Sequence, residues 1–241
     1  MSGTADVDVA AVAALMGDRA RCAILHALLD GSQRPAGELA RAAGVSAPTA
    51  SGHLRRLVDA GLLTVRAAGR HRYYALSGPL VAAALEALAL LAPPVPVRSL
   101  RQSRTASALA EARTCYDHLA GRAGVTLRTA LLAAGALEPD GVRDHRLTDR
   151  GRGLLDDLSL DGDRIQNSRR ILARDCLDWT ERRPHLAGAL PCALLDRFIE
   201  LGWLVCRPCD RGLLVTAVGV QRLANIGRDR TPQKPSMDRV S

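Results

Sequence analysis

Aromatic residues are scarce in this chain: Phe, Trp and Tyr together make up 2% of its 241 residues. Leu, Ala and Val must therefore build the interior, and small aliphatics pack closely between helices, so the expected fold is mainly α with small β-hairpins. Lysine is almost missing as well; Lys234 is the only one, and the formal charge of +8 is carried by Arg. No apolar run reaches the roughly eighteen residues of a membrane-spanning helix, so no membrane partner is expected. The opening Met-Ser-Gly-Thr-Ala-Asp has neither the basic nor the apolar region of a secretory signal, and a cytoplasmic location is expected. There the six cysteines are expected as reduced thiols rather than a disulfide framework. A Gly-rich phosphate loop, His-Glu-x-x-His and Gly-x-Ser-x-Gly are all missing, which argues against the common hydrolytic and nucleotide-dependent enzymes.

What is present suits packed domains: 47% of residues are hydrophobic and 24% charged. The length fits two domains better than one. Charge is unevenly spread. From Ser46 to Ser77 there are five Arg against the single acid Asp59, and from Pro93 to Thr105 three Arg and no acid. From Ala106 to Gly227, seventeen Arg face sixteen acids. The excess thus sits in the first half and its linker, where a polyanion would be met.

Apolar residues recur at helical spacing from Val7 to Met16. Asp18 caps a second helix with Ile24, Leu25, Leu28 and Leu29 on its buried face. A third helix starts near Pro35 and ends at Gly44. Ser46 is the next N-cap, with Pro48 in the first turn, where its missing N–H costs nothing. Leu62–Arg66 reads as a strand, Ala67–Arg70 as a turn, His71–Leu76 as the returning strand, and Gly78-Pro79 opens a helix to Leu91. Ala92-Pro93-Pro94-Val95-Pro96 breaks the chain. The expected domains are a winged helix-turn-helix DNA-binding and dimerisation domain over 1–92, a basic linker over 93–105, a mainly helical domain over 106–227 and a disordered tail over 228–241.

Two short helices joined at Gly44-Val45-Ser46 and followed by a hairpin form a helix-turn-helix with a wing. The major groove admits a helix whose leading turns reach base edges. Ser46, Pro48, Thr49 and Ser51 are small or hydroxyl-bearing, so the helix can sit close to the groove floor. His53, Arg55 and Arg56 are placed to meet phosphates or bases, and Arg66, Arg70 and Arg72 lie on the wing. The expected partner is a double-stranded DNA operator.

The stretches "LMGDRARCAILHALLDG" and "ELARAAGVSAPTASGHLRRLVDAGLLTVRAAGRHRYYAL" resemble the ArsR/SmtB family of winged-helix repressors, over Val7 to Leu91. The resemblance implies a homodimer made by the first helix and the helix after the wing, an inverted-repeat operator, and release when a small effector binds. Departures matter: Glu38–Ala43 carries no cysteine, and Val81–Leu91 offers only Glu86 where some members bind metal. Neither usual metal site of the family is present.

In the second half, "LDRFIELGWLVCRPCDRGLLVTAVG" aligns with "LRRLVDAGLLTVRAAGRHRYYALSG", and "LLAAGALEPDGVRDHRLTDRG" is a weaker third copy. Each reads as helix, Gly, strand, turn, strand and helix, so this region is expected to be winged-helix-like. Its helix ahead of the last hairpin lacks the basic, small-polar face, which points to sensing or dimer support rather than DNA reading. "ARTCYDHLAG" and "ARDCLDWTERRPHLAG" are similar to a C-terminal extension found in a subset of the same family. Cys206 and Cys209, in Cys-Arg-Pro-Cys, and Cys115 and Cys176 are candidate ligands of a metal or metalloid ion, or redox thiols. His118 and His185 stand at helical or near-helical spacing from Cys115 and Cys176. Trp179 is either a pocket wall or plain core. Two alternatives therefore stay open beside the repressor: a thiol-based metal, metalloid or redox sensor, and a winged-helix protein-interaction module.

Overall fold

The computed structural model describes residues 7–93, 96, 98–208 and 210–227. It divides into two compact units, Met1–Ala92 and Pro93–Ser241. Among the described residues no helix is long and apolar enough to cross a membrane.

The first unit runs α1 (Val9–Gly17), α2 (Arg19–Ala27), β1 (Arg34–Pro35), α3 (Ala36–Ala43), α4 (Ala47–Asp59), β2 (Leu63–Ala68), β3 (His71–Leu76) and α5 (Pro79–Leu91). Asp18 caps α2, its carboxylate accepting the Arg21 N–H at 2.9 Å. The α3–α4 corner is made by Gly44, whose φ of +65° is open to glycine at little cost. The Val45 N–H then returns to the Ala40 carbonyl at 3.1 Å and closes the helix end. Ile24, Leu25, Leu28, Leu39, Leu54 and Leu57 are fully buried and join α2, α3 and α4 in one core. That core leaves the opposite side of α4 exposed. The three strands pair in the order β1-β3-β2. The turn between β2 and β3 is only Gly69-Arg70, tighter than the four residues the sequence suggested, because Ala67 and Ala68 pair with Arg72 and His71. Strand β1 was not expected; Arg34 and Pro35 pair with Tyr74 and Tyr73 immediately ahead of α3.

The second unit begins with α6 (Leu100–Glu111), whose first turns occupy part of the stretch expected as linker. Then follow β4 (Arg113–Cys115), β5 (His118–Ala120), α7 (Gly121–Ala133), β6 (Leu137–Asp140), β7 (Asp144–Leu147), α8 (Asp149–Asp157) and α9 (Gly162–Gln166). The chain continues through β8 (Ala173–Leu177), β9 (Pro184–Ala187), α10 (Ala189–Glu200), β10 (Leu204–Cys206), β11 (Leu213–Val215) and α11 (Ala217–Asn225). Strands β6-β7-β8-β9 form one antiparallel sheet, and β4-β5 and β10-β11 are separate hairpins. The expected tail lies outside the described residues.

Hairpin, helix, glycine turn, hairpin and helix recur in this unit from β4 to α8 and from β8 to α11. The matching caps are the same. Thr148 Oγ1 accepts from Gly151 N and donates to the Gly135 carbonyl at 2.7 Å. Thr216 Oγ1 accepts from Gly219 N and donates to the Gly202 carbonyl at 3.0 Å. Leu119, Leu131, Leu155, Leu186, Leu194 and Phe198 belong to the core that both copies share. Phe198 stacks on Trp203 at 4.9 Å between centroids.

Candidate nucleic-acid interface

Ser46 is the N-cap of α4, its Oγ accepting the Thr49 N–H at 3.4 Å, and it lies 2.8 Å from Thr49 Oγ1. The cap sets the leading turn of the helix and fixes both hydroxyls at its exposed tip. Pro48 sits in that first turn. Ser46, Pro48, Thr49, Ser51, Arg55 and Arg56 are all exposed, whereas Ala50, Leu54 and Leu57 face the core. Buried positions at spacing four and three leave one polar face for a groove. On the β2–β3 wing, Arg66, Arg70 and Arg72 are exposed too, and Arg66 Nε donates to Gln33 Oε1 at 3.3 Å. Among the described residues none of these five arginines pairs with a carboxylate.

His53 departs from this exposed set. It is half-buried, with Nδ1 3.9 Å from Asp18 Oδ1, so it turns toward the start of α2. Three residues past Ala50, it falls on the flank of α4 nearer the core than the groove.

The cysteines separate into different settings. Cys206 is exposed on β10, and its neighbour in the sequence motif, Cys209, lies outside the described residues. Cys115 is buried and Cys176 half-buried. A hydrogen bond with Cys115 pulls the Cys176 thiol far below its usual range, against burial, and His118 and His185 add to the effect. The helical spacing expected for Cys115–His118 and Cys176–His185 is replaced by cross-strand pairing in the β4–β5 and β8–β9 hairpins. Trp179 is neither free wall nor simple core; the Arg113 guanidinium lies 4.9 Å over its ring.

Reading the sequence alone missed a buried polar network behind these hairpins. Arg113 Nη2 donates to Asp178 Oδ2 at 2.9 Å, and both side chains are wholly buried. The same carboxylate accepts from Gly121 N, Thr180 N, Thr180 Oγ1 and Glu181 N. Burial alone would raise the Asp178 pKa, but the Arg113 charge and these donors hold it well below the usual carboxylate range. Chemically the network is an anchor tying β4 to the β8–β9 loop. The repeated Ala-Arg-x-Cys-x-Asp of Ala112–Asp117 and Ala173–Asp178 was its signal in the sequence.

A family model described as a helix-turn-helix domain matches residues 16–66, the span from the end of α1 into the wing. The uncharacterized HTH-type transcriptional regulator YdfF of Bacillus subtilis (strain 168) is 41% identical over 212 residues, 88% of this chain and 93% of that protein. Among solved structures, NolR of Sinorhizobium fredii is 29% identical over 34% of this chain and 81% of its own, with a TM-score of 0.32. The homodimeric winged helix-turn-helix DNA-binding domain Mb0332 of Mycobacterium bovis is 30% identical over 38% of this chain and 89% of its own, at 0.33. The helix-turn-helix match takes in α2, α3 and α4, and an identity of 41% that runs through both units places the chain in the family of HTH-type transcriptional regulators.

Proposed function

We propose that the chain is a homodimeric repressor that binds an inverted-repeat operator through α4 and the β2–β3 wing and leaves it when an effector binds the second unit. The observation that carries the DNA part is the exposed array on α4 and the wing that follows it: Thr49 and Ser51 at the tip of α4, Arg55 and Arg56 behind them, and Arg66, Arg70 and Arg72 on the wing. Hydroxyls at the tip suit base edges, and the flanking guanidiniums suit phosphates.

Dimerisation is supported by the outer helices of the first unit. Val9 and Val12 on α1 and Leu80, Leu88 and Leu91 on α5 are exposed, with Leu80 at 84% and Leu91 at 83%. Large aliphatics on two helices ask for cover, and a second copy supplies the same surface in return. Two recognition helices then address half-sites about one helical turn apart, roughly 34 Å.

The test is fluorescence anisotropy of the full chain on duplexes tiled from the region upstream of its own gene, at two salt concentrations. Tight, salt-weakened binding to one near-palindromic tile is expected. Equal weak binding to every tile would overturn the repressor reading, and a monomer on that tile by light scattering would overturn the dimer.

A further inference from the structure

The two hairpins β4–β5 and β8–β9 are copies of one another. Each reads Ala-Arg-x-Cys-x-Asp and then His-Leu-Ala-Gly, over 112–121 and 173–188, with extra residues only in the second loop. In each, Cys pairs directly with His across the strands: Cys115 with His118, and Cys176 with His185. Directly paired residues of antiparallel strands point to the same face. Each hairpin ends in a glycine of positive φ, Gly121 at +75° and Gly188 at +125°. A Cβ there would come within 2.8 Å of the Ala110 carbonyl or 2.6 Å of the Ile171 carbonyl, so both copies turn tightly into α7 and α10.

Packing the copies together joins their Cys–His faces. Cys115, His118, Cys176 and His185 each place one ligand atom within 4.8 Å of all the others. The two imidazoles stack at 5.2 Å. Nε2 of His118 and both ring nitrogens of His185 are buried without a hydrogen-bond partner, on side chains 8% and 0% exposed. Buried imidazole nitrogens left in this way are costly unless something else binds them.

A carboxylate stands behind each ring. Asp117 Oδ1 lies 3.1 Å from His118 Nδ1, and Arg170 holds the other oxygen of Asp117 at 2.7 Å. Asp178 Oδ2 lies 3.7 Å from His185 Nδ1. The two aspartates occupy the same place in the two copies, two residues after the cysteine. At His118 the carboxylate on Nδ1 selects the tautomer whose Nε2 is free to ligate, the usual support of a metal-bound histidine, and at His185 Asp178 sets a charge beside the ring without a hydrogen bond.

We propose that Cys115, His118, Cys176 and His185 form a closed tetrahedral site for one zinc ion that clamps the two copies of the second unit together. Two sulfurs and two imidazole nitrogens in a tetrahedron suit zinc, and the missing oxygen ligands disfavour magnesium and calcium. Zinc bonds of about 2.3 Å to sulfur and 2.0 Å to nitrogen put ligand atoms roughly 3.3–3.8 Å apart. A small side-chain movement closes the present spacing to that. Two thiolates are too few for trivalent arsenic, and a two-iron cluster would hold its Cys and His pairs farther apart than a single ion does. With four protein ligands no position is left for water, so the ion is structural rather than catalytic. Thiol protons not already lost pass to solvent when the ion binds. The site goes beyond DNA binding, and its readouts involve no DNA.

The test uses the full chain. Elemental analysis of the purified protein is expected to find about one zinc per chain. After chelation, cobalt should bind with one-to-one stoichiometry, giving tetrahedral d–d bands and thiolate-to-cobalt charge transfer, and zinc should displace it. Cys115→Ser should about halve the charge-transfer intensity per cobalt, His185→Ala should weaken cobalt binding by about tenfold or more, and Cys206→Ser should change neither. If the ligand variants do not fold, the wild-type chain still decides: zinc added to stripped protein should raise its Tm by about 5 °C or more. Negligible zinc with no cobalt charge transfer would overturn the proposal. So would an unmoved Tm, a wild-type cobalt spectrum in Cys176→Ser, or a coloured protein with acid-labile sulfide.

Discussion

In the first unit, Arg55, Arg56, Arg66, Arg70 and Arg72 stand on α4 and the wing with no carboxylate partner among the described residues. In the second unit, Arg113, Arg122, Arg128, Arg146, Arg170 and Arg174 each pair with an Asp or Glu. One residue type thus serves two ends. Partnerless, exposed guanidiniums keep their charge for a polyanion. Paired ones spend it inside the fold, the extreme case being Arg113 against Asp178, where neither side chain reaches solvent. The chain's net charge of +8 hides this contrast, which only the placement of the acids reveals.

The contrast breaks most sharply on removing one arginine from each set. Arg113→Ala leaves Asp178 buried and unpaired and is expected to cost about 3–5 kcal/mol of stability in urea unfolding. Arg55→Ala is expected to stay within about 0.5 kcal/mol, because its side chain is exposed. Similar losses for both would erase the distinction. The Asp178 pKa is lowered in the folded state, so its contribution is complete above the unfolded value of about 4 and is lost as pH falls below it. Unfolding midpoints followed from pH 6 to pH 3 should show that loss in the wild type and a smaller one in Arg113→Ala.

The duplicated framework gives the next test. A Cβ on Gly151 would lie 2.2 Å from the Ala136 carbonyl, and one on Gly219 2.1 Å from the Trp203 carbonyl. Gly151→Ala and Gly219→Ala should each cost about 1–3 kcal/mol by thermal unfolding, and by similar amounts. A neutral result at one site alone would show that the copies are not equivalent. On the DNA side, Thr49→Ala should shift operator preference by about 1–3 kcal/mol between single-base variants, read by competition binding, with little change on unrelated duplexes. A smaller effect is expected of Ser46→Ala: about 1 kcal/mol of stability, from loss of the α4 cap.

The first unit was nearly all legible in the sequence. Its helices carry 3.6-residue periodicity, and Asp18, Ser46 and Gly44 mark their ends through local chemistry. What escaped depended on distant neighbours: β1 exists because Arg34 and Pro35 meet β3, and His53 is half-buried on the side of α4 that faces Asp18. The second unit was harder to read. The glycine turns at Gly135 and Gly202 announced β6–β7 and β10–β11, but β4 and β5 are three residues each, too short for an alternating pattern to register. With those hairpins unread, Cys115 and His118 looked like helix neighbours, and nothing local tied them to Cys176 and His185. Laying Ala-Arg-x-Cys and His-Leu-Ala-Gly of the two segments over one another would have shown the pairing.

The most direct measurement of the central claim is operator affinity across a salt series for the wild type, Arg55→Ala and Arg70→Ala. If these arginines contact phosphates, each variant should bind more weakly on every sequence, and the slope of log affinity against log salt should fall by about one. Slopes and affinities equal to the wild type in both variants would contradict the account, because the exposed face of α4 and the wing would then not be where DNA is held.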